Sequence, residues 1–342
     1  MAFRILSLDG GGIRAVFITA CLARLERHLN QPLARYFDLI SGTSSGGFIA
    51  ALLGFGYSAQ EVHGYFVGYG PRIFERRGPG SLGRRMLAWV VDPYLRRFGL
   101  ELEWLHRSRY RPDTFFWALG ELFGERRFGS ARSRLVVPAM DLASGRVVVF
   151  TTPHRPGLTR DRKLLARDVV LAACAAPTYF PHVRLGRGGC YADGALWANN
   201  PAVIAYGEAM RIREHCRRRG IDAPFEESDV RMLSLGTGRN RDFGNPRETD
   251  AGLKWWAPRI VDVIGNAQSE GVNFQMRHLL GSRYTRIDFD IPDASWRLDA
   301  CDKLSELEHA GFAKADAFMS RLRAPFFGET APPYQAFVAA AG

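Results

Sequence analysis

Residues 37–47 read FDLISGTSSGG: an apolar run, a turn of small residues with three serines, and then Phe48, Ile49, Leu52 and Leu53 at helical spacing. The same strand, turn and helix stand earlier in the chain. FRILSL at 3–8 reads as a buried strand, DGGG at 9–12 as its turn, and Val16, Phe17, Cys21, Leu22 and Leu25 as one face of a helix. Two consecutive βα units argue for a parallel sheet.

Such a glycine turn can hold phosphate, wrap a dinucleotide or present a nucleophile, and the neighbours discriminate. A phosphate loop needs Lys and Ser or Thr after its last glycine, whereas Gly47 is followed by Phe48 and Ile49. Gly10, Gly12 and Ala15 do satisfy the dinucleotide pattern G-x-G-x-x-G/A, but the second strand ends in Ile40 and Ser41 where an acid should hold the ribose. Gly42, Ser44 and Gly46 fit G-x-S-x-G, which forces the middle serine into a tight, exposed backbone. Ser44 is the expected nucleophile; Ser41 and Ser45 are expected to serve as turn or capping residues. A serine attacking an ester needs donors for the oxyanion, and Gly10, Gly11 and Gly12, on the neighbouring turn, offer successive unobstructed N–H groups.

Composition narrows the rest. The chain has 342 residues, 46% hydrophobic, enough for a large core, so disorder is excluded. A net charge of +11 favours anionic partners, yet only four cations are lysines (Lys163, Lys254, Lys303, Lys314), and no nucleic-acid-binding motif appears. No nucleic-acid polymer is expected as a partner. Five scattered cysteines without C-x-x-C spacing indicate neither a disulfide framework nor a zinc site, which fits a reducing cytoplasm. Arg4 and Asp9 interrupt the first apolar run, so no secretory leader is expected, and no run of eighteen apolar residues could span a bilayer.

Further along, residues 58–134 turn helical and rich in Arg, Trp, Phe and Tyr, which predicts a helical insertion within one domain covering 1–342. LVVPAM (135–140) and RVVVFTT (146–152) predict a hairpin around Asp141–Gly145. DVVLAACAA reads as helix up to Pro177, and residues 190–192 as the end of a strand; Pro201 then opens a helix. VRMLSLGTG (230–238) is a strand with a glycine turn, followed by an amphipathic stretch over 258–280, a strand at 283–291 and a terminal helix over 302–323.

For a general base, His182 in YFPH is the best placed of eight histidines, but Asp193 in YADGALWANNP is the stronger candidate. It would close a strand and enter a loop at Gly194, on the edge where parallel sheets collect their sites. A partly buried carboxylate within reach of the serine can take its proton directly.

DGGGIR (9–14), FDLISGTSSGG (37–47), AACAAPTYFP (172–181), DGA (193–195) and LSLGTG (233–238) occur in the order and register of the patatin-like phospholipases, which the chain resembles over residues 3–240. The resemblance implies a three-layer α/β fold with a mostly parallel central sheet. It also implies a Ser44–Asp193 dyad, an oxyanion hole at Gly10–Gly12, and hydrolysis of lipid acyl esters without metal or cofactor. Asp9, Arg14, Gly42, Gly46 and Gly194 would support the motifs, Arg14 by steadying the loop or meeting a substrate phosphate. Ala15 and Ala195 stand where many members have glycine.

Membrane phospholipids are then the expected partner, met peripherally at the inner membrane; Leu87, Trp89, Val90, Val91 and Leu95, among Arg84, Arg85, Arg96 and Arg97, would form a basic amphipathic surface unless they are core. The chain also resembles phospholipase effectors of antiphage systems switched on by cyclic nucleotides. That implies a cyclic-nucleotide activator, stacked by residues such as Trp255 and Trp256, and a homo-oligomer. A catalytically idle or nucleotide-binding protein on a related fold is the alternative.

Overall fold

The structure is a computed structural model that describes residues 2–75 and 107–337, apart from 187, 221–223, 242, 244–249, 251, 257 and 258, together with Trp89 and Pro93. The strands are β1 (Phe3–Leu8), β2 (Leu39–Gly42), β3 (Arg134–Asp141), β4 (Arg146–Thr151), β5 (Val183–Leu185), β6 (Gly189–Asp193), β7 (Val230–Leu235) and β8 (Tyr284–Ile287). The helices are α1 (Val16–Glu26), α2 (Ser45–Gly54), α3 (Ala59–Ile73), α4 (Pro112–Phe123), α5 (Ala166–Ala173), α6 (Ala195–Ala198), α7 (Ala202–Arg218), α8 (Leu253–Trp256), α9 (Ile260–Leu280) and α10 (Leu304–Phe326).

Strands β8, β7, β1, β2 and β3 lie side by side and parallel. Alternation along them divides the core. Leu6 and Leu8 of β1 point to one face, packed by α1, α2, α3, α4, α5 and α10, while Phe3 and Ile5 point to the other, packed by α7 and α9. The result is three layers, as expected. Helices α3 and α4 fall within 58–134, and their Val62, Phe66, Phe115 and Leu119 join the larger cluster. The basic amphipathic surface expected around Leu87–Arg97 lies outside the described residues except for Trp89, which is exposed.

At β3 the sheet changes character. The edge of β3 that carries β2 at Leu39–Ser41 carries β6 further along, with Asp193 opposite Ala139, and β6 runs antiparallel. Strand β4 takes the other edge as the expected hairpin. Thus β2 and β6 point at one another along one side of β3. Ser41 pairs with Val136 and Asp193 with Ala139, so the two strand ends face each other across three residues of β3, about 10 Å. The parallel-edge rule expected for Asp193 is corrected here: an antiparallel strand delivers it to the carboxyl ends of β1 and β2.

Candidate active site

Chain direction reverses sharply after β2. Thr43 N–H donates to the Leu8 carbonyl (3.1 Å) and its hydroxyl to the Ala198 carbonyl (2.6 Å), pinning the turn between β1 and α6. Ser44 then takes φ 53° and ψ −127°, a strained conformation for a residue with a side chain, at the N-cap of α2. The strain is tolerated because the helix start is pressed onto β1: a Cβ on Gly46 would lie 2.4 Å from the Leu8 carbonyl oxygen. The Cys174 thiol donates to the Ser44 carbonyl at 3.0 Å, a further tether. Ser44 lines a cavity of about 1100 Å³, together with Asp193, Gly10–Gly12, Arg14 and a run of aromatic rings that includes Phe48, Phe66, Phe115 and Phe180.

Asp193 is 1% exposed. Its Oδ1 accepts the Ala195 N–H at 2.8 Å, whereas Oδ2, equally buried, has no hydrogen bond of normal geometry among the described residues. Burial pushes its pKa up to about 6, against the pull of the nearby Ser44 hydroxyl and the Ala195 amide. Ser44 and Asp193 are thus brought together at the facing ends of β2 and β6. Gly194 is required next to Asp193, since a Cβ there would meet the Pro138 carbonyl oxygen at 2.3 Å.

The glycine turn after β1 divides its amides. Gly10 N–H donates to the Asn199 carbonyl at 3.0 Å, so its expected part in an oxyanion hole is corrected: that donor is used to hold the loop against α6. Gly11 N–H donates to Ser45 Oγ at 3.1 Å. Ser45 therefore caps the neighbouring loop and not its own helix. No acceptor engages Gly12 N–H among the described residues, and its φ of +56°, with the Leu298 carbonyl 2.3 Å from where a Cβ would sit, admits only glycine without strain.

Asp9 anchors this turn. Its carboxylate takes two bonds from the Arg286 guanidinium (2.8 and 2.6 Å) and one from the Ser269 hydroxyl of α9 (2.7 Å). Arg286 also reaches Asp288 and Ser234, both at 2.8 Å. Burial holds the Asp9 pKa above the ordinary aspartate value, against the opposing pull of Arg286 and Ser269. Arg286, Ser269, Asn199 and Cys174 escaped the sequence reading; an arginine among the apolar residues of RYTRIDFDI was the one visible sign.

Arg14 lines the same cavity, and its side chain makes no hydrogen bond or ion pair among the described residues. Its backbone N–H holds the turn through Gly11 O at 3.1 Å. Burial lowers its pKa, with the Asp262 and Asp288 carboxylates pulling the other way. His182 is exposed and does not line the cavity. Trp255 and Trp256 meet edge-on at 4.8 Å, and the Arg259 guanidinium covers Trp255 at 4.9 Å.

Comparison with known proteins gives the family. The patatin-like phospholipase family model matches residues 6–206. A cGAMP-activated phospholipase of Pseudomonas aeruginosa is 33% identical over 305 residues, covering 89% of this chain and 83% of that protein. A cGAMP-activated phospholipase of Vibrio cholerae is 35% identical over 244 residues, covering 68% of this chain; the match spans 64% of that relative's length, under two thirds. Among solved structures, human GIVD cytosolic phospholipase A2 aligns over 95% of this chain and 63% of its own, at 10% identity and a TM-score of 0.39. On the family match and the close bacterial relatives, the chain belongs to the patatin-like phospholipase family and is a lipid ester hydrolase.

Proposed function

We propose that Ser44 and Asp193 form a two-residue catalytic unit that cleaves acyl esters of membrane phospholipids through an acyl-serine. Asp193 Oδ2 takes the Ser44 proton as Oγ attacks the acyl carbonyl carbon. The Gly12 amide, joined by Gly11 when its long bond to Ser45 exchanges, holds the tetrahedral oxyanion. Collapse expels the lysolipid alkoxide, which takes the proton from Asp193. Water, deprotonated by the same carboxylate, then releases the fatty acid. The aromatic part of the cavity suits an acyl chain, and the Arg14 guanidinium, which has no ion pair among the described residues, suits the headgroup phosphate.

A single observation carries this reading: a fully buried carboxylate whose second oxygen has no hydrogen bond of normal geometry among the described residues, its pKa lifted to about 6, beside a strained serine. The relatives named cGAMP-activated phospholipases support activation by a cyclic nucleotide as a second part of the proposal, with the protein acting peripherally on the membrane. Among the described residues no helix is long and apolar enough to cross a membrane.

A fluorophosphonate probe should label the protein and fail to label Ser44→Ala, which should also stop fatty-acid release from phospholipid vesicles. Labelling that persists in Ser44→Ala would move the nucleophile to another residue, and stabilisation by NAD of a protein that never labels would support the nucleotide-binding alternative. Vesicle hydrolysis that is equal with and without cGAMP would remove activation while leaving the chemistry intact.

A further inference from the structure

Many charged side chains line the cavity, and most of them are already engaged. Arg286 serves Asp9 and Asp288, Asp299 holds Arg109 and Arg297, and Asp290 holds Arg239. Arg259 donates to the Phe243 and Trp255 carbonyls, and Asp293 accepts the Ser295 amide. Apart from Asp193, that leaves Arg14, Asp262 and Glu270, whose side chains make no hydrogen bond or ion pair among the described residues. Glu270 lies in the field of Arg239. Arg14 and Asp262 lie in each other's field: of the opposite charges acting on either, the other's is the strongest, yet no ion pair joins them.

Their positions give the two charges a meaning. Arg14 belongs to the short helical turn Gly12–Ala15, so a phosphate on its guanidinium is held on the same turn as the amide proposed to receive the oxyanion. Asp262 comes from the first turn of α9. The helix dipole alone favours an acid there, and an acid serving only the helix start would bond to its free amides. Asp262 accepts no such bond. It is accessible, as a ligand-binding group must be, and partial desolvation by the cavity walls holds its pKa above the ordinary aspartate value. A ligand with a phosphate alone would take Arg14 and be repelled by Asp262. One that carries a phosphate and, a short spacer away, a protonated amine satisfies both.

We propose that the cavity selects phospholipids whose headgroup carries a primary ammonium beyond the phosphate, with the phosphate on Arg14 and the ammonium on Asp262. The phosphodiester anion meets the guanidinium, and the ammonium donates hydrogen bonds to the Asp262 carboxylate. A quaternary ammonium has no N–H to donate and a glycerol headgroup has no positive charge, so both bind less tightly. Asp262 thus sets specificity at a distance from the reacting ester. The proposal rests on the phospholipid reading of Ser44, Asp193 and Arg14, and adds to it the identity of the headgroup.

Lipids with short acyl chains, used as monomers in solution, test it without the attraction of a charged vesicle surface for a basic protein. With cGAMP present throughout, kcat/KM for short-chain phosphatidylethanolamine should exceed that for the matching phosphatidylglycerol about tenfold, the scale of one hydrogen bond between charged groups. Asp262→Asn should bring that ratio close to one, chiefly through KM. Arg14→Met should lower kcat/KM for both lipids by about tenfold. A ratio near one in the unaltered protein, a ratio that survives Asp262→Asn, or an equal loss on both lipids in that variant overturns the proposal. Binding to Ser44→Ala needs no turnover and keeps the two readings apart. There too phosphatidylethanolamine should bind about tenfold more tightly than phosphatidylglycerol, and equal affinity overturns the selectivity whichever residues prove catalytic. Failure to hydrolyse either lipid or a soluble ester defeats the catalytic reading and leaves the binding ratio to decide this one.

Discussion

Two aspartates flank the glycine turn, each almost wholly buried, and they have opposite fates. Asp9 ends β1 with its oxygens occupied by Arg286 and Ser269. Asp193 ends β6 with one oxygen on an amide and the other without a hydrogen bond of normal geometry among the described residues. Desolvation is the largest influence on both. What separates them is company: both Asp9 oxygens are engaged by the Arg286 guanidinium, whereas the desolvated Asp193 carboxylate has no counter-ion among the described residues and, with its pKa lifted to about 6, can exchange a proton near neutrality. Burial alone does not make a base.

The largest test of that contrast is Asp193→Asn. Turnover should fall on the order of 10³- to 10⁴-fold, since the proposed general base is lost. Stability should move the other way. The folded pKa lies above the ordinary aspartate value, so the folded state binds the proton more tightly, and stability declines as pH rises from about 4 through about 6. Above pH 6 the asparagine variant should be more stable by up to about 3 kcal/mol, a gain that vanishes near pH 4. Thermal melts across pH measure this; a variant destabilised at pH 8 would mean that the Asp193 carboxylate is held by partners, as Asp9 is by Arg286 and Ser269.

Arg286→Met attacks the other member of the pair. It leaves Asp9 and Asp288 buried without their cation and should cost about 3–5 kcal/mol in denaturant unfolding. Adding Asp9→Asn should return part of that loss, and an unchanged double variant would show that the guanidinium holds something other than Asp9. Gly12→Ala comes next: positive φ and the Leu298 carbonyl both oppose it, and a displaced amide should lower kcat on the order of 10²-fold, with a smaller change in KM. The mildest test alters no residue. On a soluble ester, kcat/KM should climb about tenfold per pH unit below about 6 and level off above it, the limb of an ionising base. A limb near pH 4 would place Asp193 in an ordinary, solvated setting and erase its difference from a surface acid.

Much of the site was legible in the chain. Ser44 announced itself because a strand, a serine between glycines and a helix form a local unit whose geometry depends on nearby residues alone. Asp193 was found as the acid closing a strand, but the expected reason was inaccurate: β6 joins antiparallel, and it reaches the edge only because β3 extends beyond β2. The glycine donors were over-counted. Three consecutive glycines look equivalent in sequence, and Asn199, far along the chain, takes the first of them. Arg286 was missed for the same reason, since its partner Asp9 lies at the opposite end of the chain and a charge in a strand pattern does not name its counter-ion.

The amino-acid order by itself determined the local units: the βα repeats, the nucleophile turn, the hairpin and the α9 helix, all set by side-chain periodicity and by glycine's backbone freedom over a few residues. Tertiary structure decided which strand faces which, which amide stays free and which carboxylate is neutralised. These depend on desolvation and on partners from remote segments, whose energies exist only once the sheet has assembled.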